Sequence, residues 1–324
     1  MKKILCILMA VFMLFAISGC GQKDGLEEIT LVLDWTPNTN HAGIFLARDL
    51  GYYSDAGLKV NIIQPPEGGA EALVAAGRAQ FGISFQDSMA PALSASEPLD
   101  IVAVAAISQH NLSGIISRGD KNIYSFKDLE GKSYATWGSP IEQTVIKYCM
   151  EQEGGDFSSL NMIDSTVTDV LAALETDMVD TVWVYEYWDV VKADIENYEY
   201  CYIDFKSVDE VLDYYTPVII TSNKYAEENS DVVKRFLTAT KRGYEECAKD
   251  IEKAADSLLK ADESLDRELV VRSLSLLQSY FIDDNGNWGY IDSDRWNLFY
   301  NWLYDNGLVD KSLENVGFNG EYLR

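Results

Sequence analysis

Ile29-Thr30-Leu31-Val32-Leu33-Asp34-Trp35-Thr36-Pro37-Asn38-Thr39-Asn40-His41 decides the fold. A short β-rich apolar run stops at an aspartate, Pro37-Asn38 turns the chain, and a helix is predicted from about His41 to Leu50, before the break at Gly51-Tyr52-Tyr53. The same unit recurs downstream. Leu58 to Ile63 reads as a strand halted by Pro65-Pro66, Glu71 to Ala76 as a helix stopped by Gly77, and Phe81 to Phe85 as a strand. A helix from about Asp87 to Ala95 and a strand from Ile101 to Ile107 follow. Short strands that are almost continuously apolar, alternating with helices, indicate a parallel sheet covered on both faces.

The alternation then restarts. Gly114 to Ser117, Ser133 to Thr136, Asn161 to Ile163 and Thr181 to Val184 read as strands. Ile141 to Glu151, Val167 to Glu175 and Trp188 to Glu196 read as helices. After Thr216-Pro217 one last strand, Val218 to Thr221, precedes about a hundred residues of helical periodicity, such as Trp296-x-x-x-Tyr300-x-x-Leu303, interrupted by a loop at Asn285-Gly286-Asn287. Two α/β units and a helical tail predict two lobes joined by two crossings of the chain. Ligands of such sheets bind outside the carboxyl ends of the strands.

At the N-terminus, Lys2 and Lys3 precede an apolar run from Ile4 to Ile17, then Ser18-Gly19-Cys20. The run is shorter than the roughly 20 apolar residues a membrane span needs. It reads as a signal peptide over residues 1–19, cleaved before a lipidated Cys20. Residues 20–28 read as a polar tether. The chain carries 52 acidic and 26 basic residues, a formal charge of −26. Such a field repels nucleic acid and favours a soluble monomer. The composition, 47% hydrophobic and 12% aromatic, is that of a folded protein. Beyond Cys6 and Cys20, the cysteines are Cys149, Cys201 and Cys247, with no zinc spacing; either a Cys149–Cys201 disulfide or three free thiols fits. With only two histidines, no metal site is expected.

Four strand ends run into polar and aromatic residues where a simple turn would do. Asp34-Trp35-Thr36-Pro37-Asn38 with His41 offers a stacking surface and hydrogen-bonding groups, or a capped connection with Trp35 in the core. Phe85-Gln86-Asp87 reads as a helix start with Asp87 as the cap. Trp137-Gly138-Ser139-Pro140-Ile141-Glu142 holds a capping box, with Ser139 at the cap, Pro140 in the first turn and Glu142 closing it. Its free N–H groups also suit a polar ligand group. Tyr185-Glu186-Tyr187-Trp188 sets a carboxylate among rings, and Tyr214-Tyr215 offers a further aromatic wall. No GxxxxGK[ST], GxSxG or HExxH occurs, and no lysine or arginine falls in these four segments. A sulfonate, nitrate or phosphate wants charge-assisted donors. Carboxylates beside rings suit a flat, amine-bearing heterocycle instead.

On Asp34-Trp35-Thr36-Pro37-Asn38 with His41, Gly51-Tyr52-Tyr53 with Gly57-Leu58, Trp137-Gly138-Ser139-Pro140-Ile141-Glu142 and Tyr185-Glu186, the chain resembles the type II substrate-binding proteins of ABC importers. Within them it looks like the ThiY-like group, over roughly residues 29–310. The resemblance implies a two-lobed periplasmic-binding-protein fold, with two parallel or mixed sheets flanked by helices. Lobe 1 would comprise 29–112 and 217–324, its helical tail packed on it, and lobe 2 would comprise 113–216. It also implies closure on the ligand about hinges near 110–113 and 216–218. Delivery would be to a membrane permease served by a separate ATPase, from an extracytoplasmic position held by lipid on Cys20.

The implied ligand is a thiamine pyrimidine precursor such as a formylaminopyrimidine, with riboflavin or another aromatic heterocycle second and an alkyl sulfonate or taurine third. The expected ligand-binding set is Asp34, Trp35, Asn38, His41, Phe85, Gln86, Trp137, Gly138, Ser139, Tyr185, Glu186 and Tyr215. In it, Trp35 and Tyr185 sandwich the ring and Glu186 accepts from its amines. No cofactor and no catalysis are expected. A related fungal pyrimidine synthase uses a lysine, a histidine and a cysteine-rich run. Here Ser84-Phe85-Gln86-Asp87 carries neither of the first two, and Tyr215-Thr216-Pro217-Val218 carries no cysteine.

Overall fold

The computed structural model describes residues 25–66, 69–283 and 285–323. The expected signal peptide, residues 1–19, and the expected lipidation site at Cys20 lie outside the described residues. Among the described residues ten strands form two five-stranded sheets. Sheet one contains β1 (Glu27–Val32), β2 (Leu58–Ile63), β3 (Phe81–Ser84), β4 (Val102–Ala106) and β10 (Val218–Thr221), in the order β2-β1-β3-β10-β4. Sheet two contains β5 (Ser113–Arg118), β6 (Ser133–Thr136), β7 (Asn161–Asp164), β8 (Thr181–Tyr185) and β9 (Tyr200–Asp204), in the order β7-β6-β8-β5-β9. The two orders have one topology. In each, three strands pair in parallel, β2-β1-β3 and β7-β6-β8, and the next strand, β10 or β5, runs antiparallel. β5 opens the second sheet directly after β4, and β10 returns to the first sheet after β9, so the chain passes between sheets twice.

The predicted strands and helices appear with shifted ends, and three departures have physical causes. β1 starts inside the expected tether, at Glu27. Its first residues pair in register with Leu58 and Lys59, and their charges are neutralised by Arg235 on Glu27 and Lys59 on Glu28, each at 2.8 Å. Ion pairs thus make two glutamates compatible with an extended edge. Second, β9 was not expected: it is a half-buried edge strand among acidic residues, without the apolar run that marks the others. Third, the segment expected to be helical from Trp188 opens as a π-helical turn, Glu186–Val190, before the α-helix Val191–Ile195.

The tail does not rest on sheet one alone. Its longest helix, Ser230–Lys249, crosses the helix Ala42–Asp49 at two glycines. A Cβ on Gly243 would lie 2.1 Å from the Gly43 carbonyl oxygen, and one on Gly43 would lie 2.4 Å from the Tyr244 ring. Close approach here needs hydrogen at both positions. The helix Arg267–Leu277 packs against the turn Thr39–His41 of the first half and also against residues 186–195 of the second. A buried Thr39–Ser273 hydroxyl pair at 2.6 Å fixes the first of these contacts. Cys149, Cys201 and Cys247 are free, buried thiols, and burial pushes the Cys247 thiol up to about 12. The Cys149–Cys201 disulfide is therefore not formed.

Candidate functional site

The carboxyl ends of β1, β3, β6 and β8 converge on two adjoining cavities, of about 430 and 140 Å3. Both are lined by Asp34, Trp35, Phe85, Trp183 and Tyr185. Asp87, Trp137, Ser139 and Tyr214 complete the larger, and Asn38, Asn40, Tyr187 and Asp189 the smaller. Among the described residues no lysine, arginine or histidine lines either one. The larger volume falls in the range of small-molecule sites.

The first loop is built by its own side chains. Asn38 caps the 3-10 turn Thr39–His41, accepting from the Asn40 N–H at 2.9 Å. The Asn38 N–H donates to His41 Nδ1, which leaves the proton on Nε2 to donate to Asp34 at 2.5 Å. His41 is 0% exposed, so it orients the Asp34 carboxylate and does not meet the cavity. Trp35 has no such anchoring and stays 52% exposed at the mouth. Across the cleft, Trp137 is 49% exposed and meets Trp183 edge-on at 5.4 Å. Deeper in, Tyr185 stacks on Phe85 at 6.4 Å and tilts against Tyr187 at 5.5 Å. Burial holds the Tyr185 hydroxyl protonated, and the charges of Asp87 and Asp34 add to this.

Asp34, Trp35, Asn38, Phe85, Trp137, Ser139 and Tyr185 thus line the cavities. Glu186 does not. Trp183 and Tyr185, two apart on β8, share the cleft side by strand alternation; beyond the strand the π-helical turn brings Tyr187 to the same cavity and leaves Glu186 off both. There its carboxyl is pushed up by burial, pulled down by Lys206 and raised by Asp204. The carboxylate that does arrive is Asp189, because the π-helical turn swings it back beneath Tyr185. Such turns recur at functional sites.

Gln86 and Tyr215 are also displaced from the expected set. Gln86 is fully buried, giving Nε2 to the Trp296 carbonyl and taking the Tyr215 N–H, both at 2.9 Å. It rivets the second crossing to the tail. Tyr215 accepts the Asp292 N–H at 2.8 Å, lies under Arg295 at 3.9 Å, and faces a separate cavity beside His110. Gly138 sits at φ 79° with open space around it and lines neither cleft cavity. Ser139, Pro140 and Glu142 form the expected capping box, and Glu142 is used up by Tyr134, Thr136 and Ser139. Asp87 is not the cap of its helix: Phe85 holds that position and Asp87 falls in the first turn, which turns its carboxyl to the cleft.

Burial pushes both Asp87 and Asp189 up to about 6, against partial compensation by backbone N–H groups and, for Asp189, Lys192. With the His41-bonded Asp34, the cleft therefore offers three carboxyl groups between aromatic walls. Asp189, Asn40, Tyr187 and Trp183 line the cleft but stand outside the expected set. The i, i+2 spacing of Trp183, Tyr185 and Tyr187 was the signal that could have found the aromatic wall.

Two sheets of one order, each contributing its carboxyl edge to one cleft, define a periplasmic-binding-protein fold. A solved structure with this fold is the alkanesulfonate-binding protein SsuA from Xanthomonas axonopodis pv. citri bound to MOPS, at a TM-score of 0.68 over 91% of this chain and 99% of that one, with 12% identity. The family model described as NMT1/THI5 like matches residues 38–254, and the chain belongs to that family. One relative, 27% identical over 313 residues, 93% of this chain and 92% of its own length, is the formylaminopyrimidine-binding protein of Halalkalibacterium halodurans. Another, 22% identical over 267 residues, 79% of this chain and 77% of its own, is a 4-amino-5-hydroxymethyl-2-methylpyrimidine phosphate synthase of Saccharomyces cerevisiae. The chain thus has the periplasmic-binding-protein fold and belongs to the NMT1/THI5-like family. Among the described residues no helix is long and apolar enough to cross a membrane.

Proposed function

We propose that the chain is the extracytoplasmic solute-binding lipoprotein of an ABC importer, and that it captures an aminopyrimidine precursor of thiamine. One observation carries this reading: three aspartates and a set of aromatic rings line the cleft, and among the described residues no lysine, arginine or histidine lines it. Such a lining attracts ring amines and repels anions. A sulfonate would face carboxylates with no guanidinium or ammonium to receive it, so likeness of fold to a sulfonate binder does not extend to its ligand. The name of the Halalkalibacterium relative points the same way.

In this reading Trp35 stacks on the ring from one side and Tyr185 with Phe85 from the other. Asp34, Asp189 and Asp87 accept from its amines, and Ser139 and Asn38 add polar contacts. A binding role fits better than synthesis. His41, the histidine nearest the cleft, has both ring nitrogens engaged and is fully buried, so it has no free base to offer. Lipid on Cys20 would keep the protein beside its permease, to which it hands the ligand.

The test is a thermal-shift panel on mature protein. A ligand at a hundred times its Kd should add about 2.7 kcal/mol of stability. Stabilisation by formylaminopyrimidine and not by flavin or alkyl sulfonates supports the assignment. The opposite pattern overturns it.

A further inference from the structure

Asn40 is held by three hydrogen bonds. Its N–H donates to Asn38 Oδ1 at 2.9 Å and its carbonyl accepts the Tyr244 hydroxyl at 2.6 Å. Its side-chain Nδ2 donates to the Tyr187 hydroxyl at 2.6 Å, from the first half of the chain to the second. The residue is 3% exposed and lines the smaller cavity beside Trp35, Tyr185 and Asp189. Yet among the described residues its Oδ1 has no hydrogen-bond partner. A buried carbonyl oxygen without a donor is costly, and such a group at the wall of a cleft is accounted for when a ligand supplies the N–H.

Tyr187 completes the pattern. Its oxygen accepts from Asn40, so its own proton remains to be given away. Burial first, then the neighbouring carboxylates of Asp34 and Asp189, keep that proton on the oxygen. Side by side, with Nδ2 on the Tyr187 hydroxyl, the two residues present one acceptor, Asn40 Oδ1, and one donor, the Tyr187 hydroxyl. A 4-aminopyrimidine carries the complement on one edge, an exocyclic N–H beside an accepting ring nitrogen.

We propose that Asn40 and Tyr187 are the specificity-determining pair of the cleft: Asn40 Oδ1 accepts from the exocyclic amine while the Tyr187 hydroxyl donates to the adjacent ring nitrogen. This rests on the reading of the cleft as an aminopyrimidine site. A 4-oxopyrimidine reverses both groups, placing carbonyl against carbonyl and ring N–H against hydroxyl. Sites that use buried hydrogen-bonding groups in this way reject the mismatched analogue by about 10²-fold or more.

The experiment is calorimetric titration of wild type, Asn40→Leu and Tyr187→Phe with formylaminopyrimidine and with its 4-oxo counterpart. Wild type should prefer the amine by about 10²-fold, and Asn40→Leu should cut that preference to under about tenfold while changing amine affinity more than oxo affinity. Tyr187→Phe keeps the ring and its packing, so it reports on the pair even where Asn40→Leu fails to fold; it too should narrow the preference. An undiminished preference in the folded variants overturns the pairing while leaving the aminopyrimidine reading in place; a wild-type preference for the oxo compound overturns both. Absence of amine binding to wild type overturns both.

Discussion

Replacing Asp189 with asparagine should stabilise the empty protein and cripple it as a binder. Burial raises this carboxyl from 3.8 to about 6. The folded state therefore holds its proton more tightly than the unfolded chain does. Above pH 6 the group is charged in both states, and folding bears the full cost of that charge. As pH falls from 6 towards 3.8 the folded protein binds the proton first and the cost fades; below 3.8 both states are protonated and it is gone. A shift of about two units corresponds to ~3 kcal/mol, which solvent in the cleft reduces to roughly 1–2 kcal/mol. Asparagine carries no charge to bury, so Asp189→Asn should melt roughly 2–6 °C higher than wild type at pH 8. The gap should close by pH 4. Loss of a charge-assisted hydrogen bond should weaken an amine ligand about 10- to 100-fold in the same variant. Scanning calorimetry at the two pH values, with titration of formylaminopyrimidine, measures both effects. A lower melting temperature at pH 8, a gap independent of pH, or unchanged affinity would refute the placement of this carboxyl.

Gly243→Ala must push apart the helices Ser230–Lys249 and Ala42–Asp49, since the new methyl group would meet the Gly43 carbonyl at 2.1 Å; urea denaturation should show a loss of about 1–3 kcal/mol. Trp35→Ala should weaken any flat ligand at least about tenfold, yet leave the melting temperature near wild type because the ring is 52% exposed. Asp213 couples the two crossings, accepting from His110 at 2.6 Å and from the Asn111 N–H at 2.9 Å. Burial opposes its charge, but His110, Asn111 and Arg295 outweigh that and hold its carboxyl below the usual range. Its stabilisation is present at neutral pH and lost as pH falls through its depressed value, so Asp213→Asn should cost about 1–3 kcal/mol at pH 7 and little in strong acid.

Much of the architecture was readable because its signals are local. Leu58–Ile63 is apolar, β-branched and stopped by two prolines, and its strand ends where the reading put them. Ser139, Pro140 and Glu142 carry a helix start in their own chemistry, and it formed. What escaped depends on contacts between distant residues. Glu27 joins a strand because Arg235, far along the chain, neutralises it. The straddling of both halves by Arg267–Leu277 depends on the tertiary path of the tail, which periodicity does not encode.

The site divides along the same line. Strand ends located the cleft, because parallel sheets bind at their carboxyl edges. Which carboxylates face it was harder. Glu186 beside Tyr185 looked like the ligand acceptor, but β8 ends at Tyr185 and the π-helical turn that begins at Glu186 leaves it off both cavities. Asp189 reaches the cleft only through a π-helical turn that the residues Glu186-Tyr187-Trp188-Asp189-Val190 do not advertise. Gln86 and Tyr215 lie one strand end away from the cavity and are spent on holding the tail.

Isothermal titration of the purified mature protein with formylaminopyrimidine and, separately, with a short alkanesulfonate weighs the charge of the cleft against its ligand most directly. Saturable binding of the pyrimidine with none of the sulfonate is the expected result. Binding of the sulfonate alone would mean that the carboxylates of Asp34, Asp87 and Asp189 do not govern this cleft.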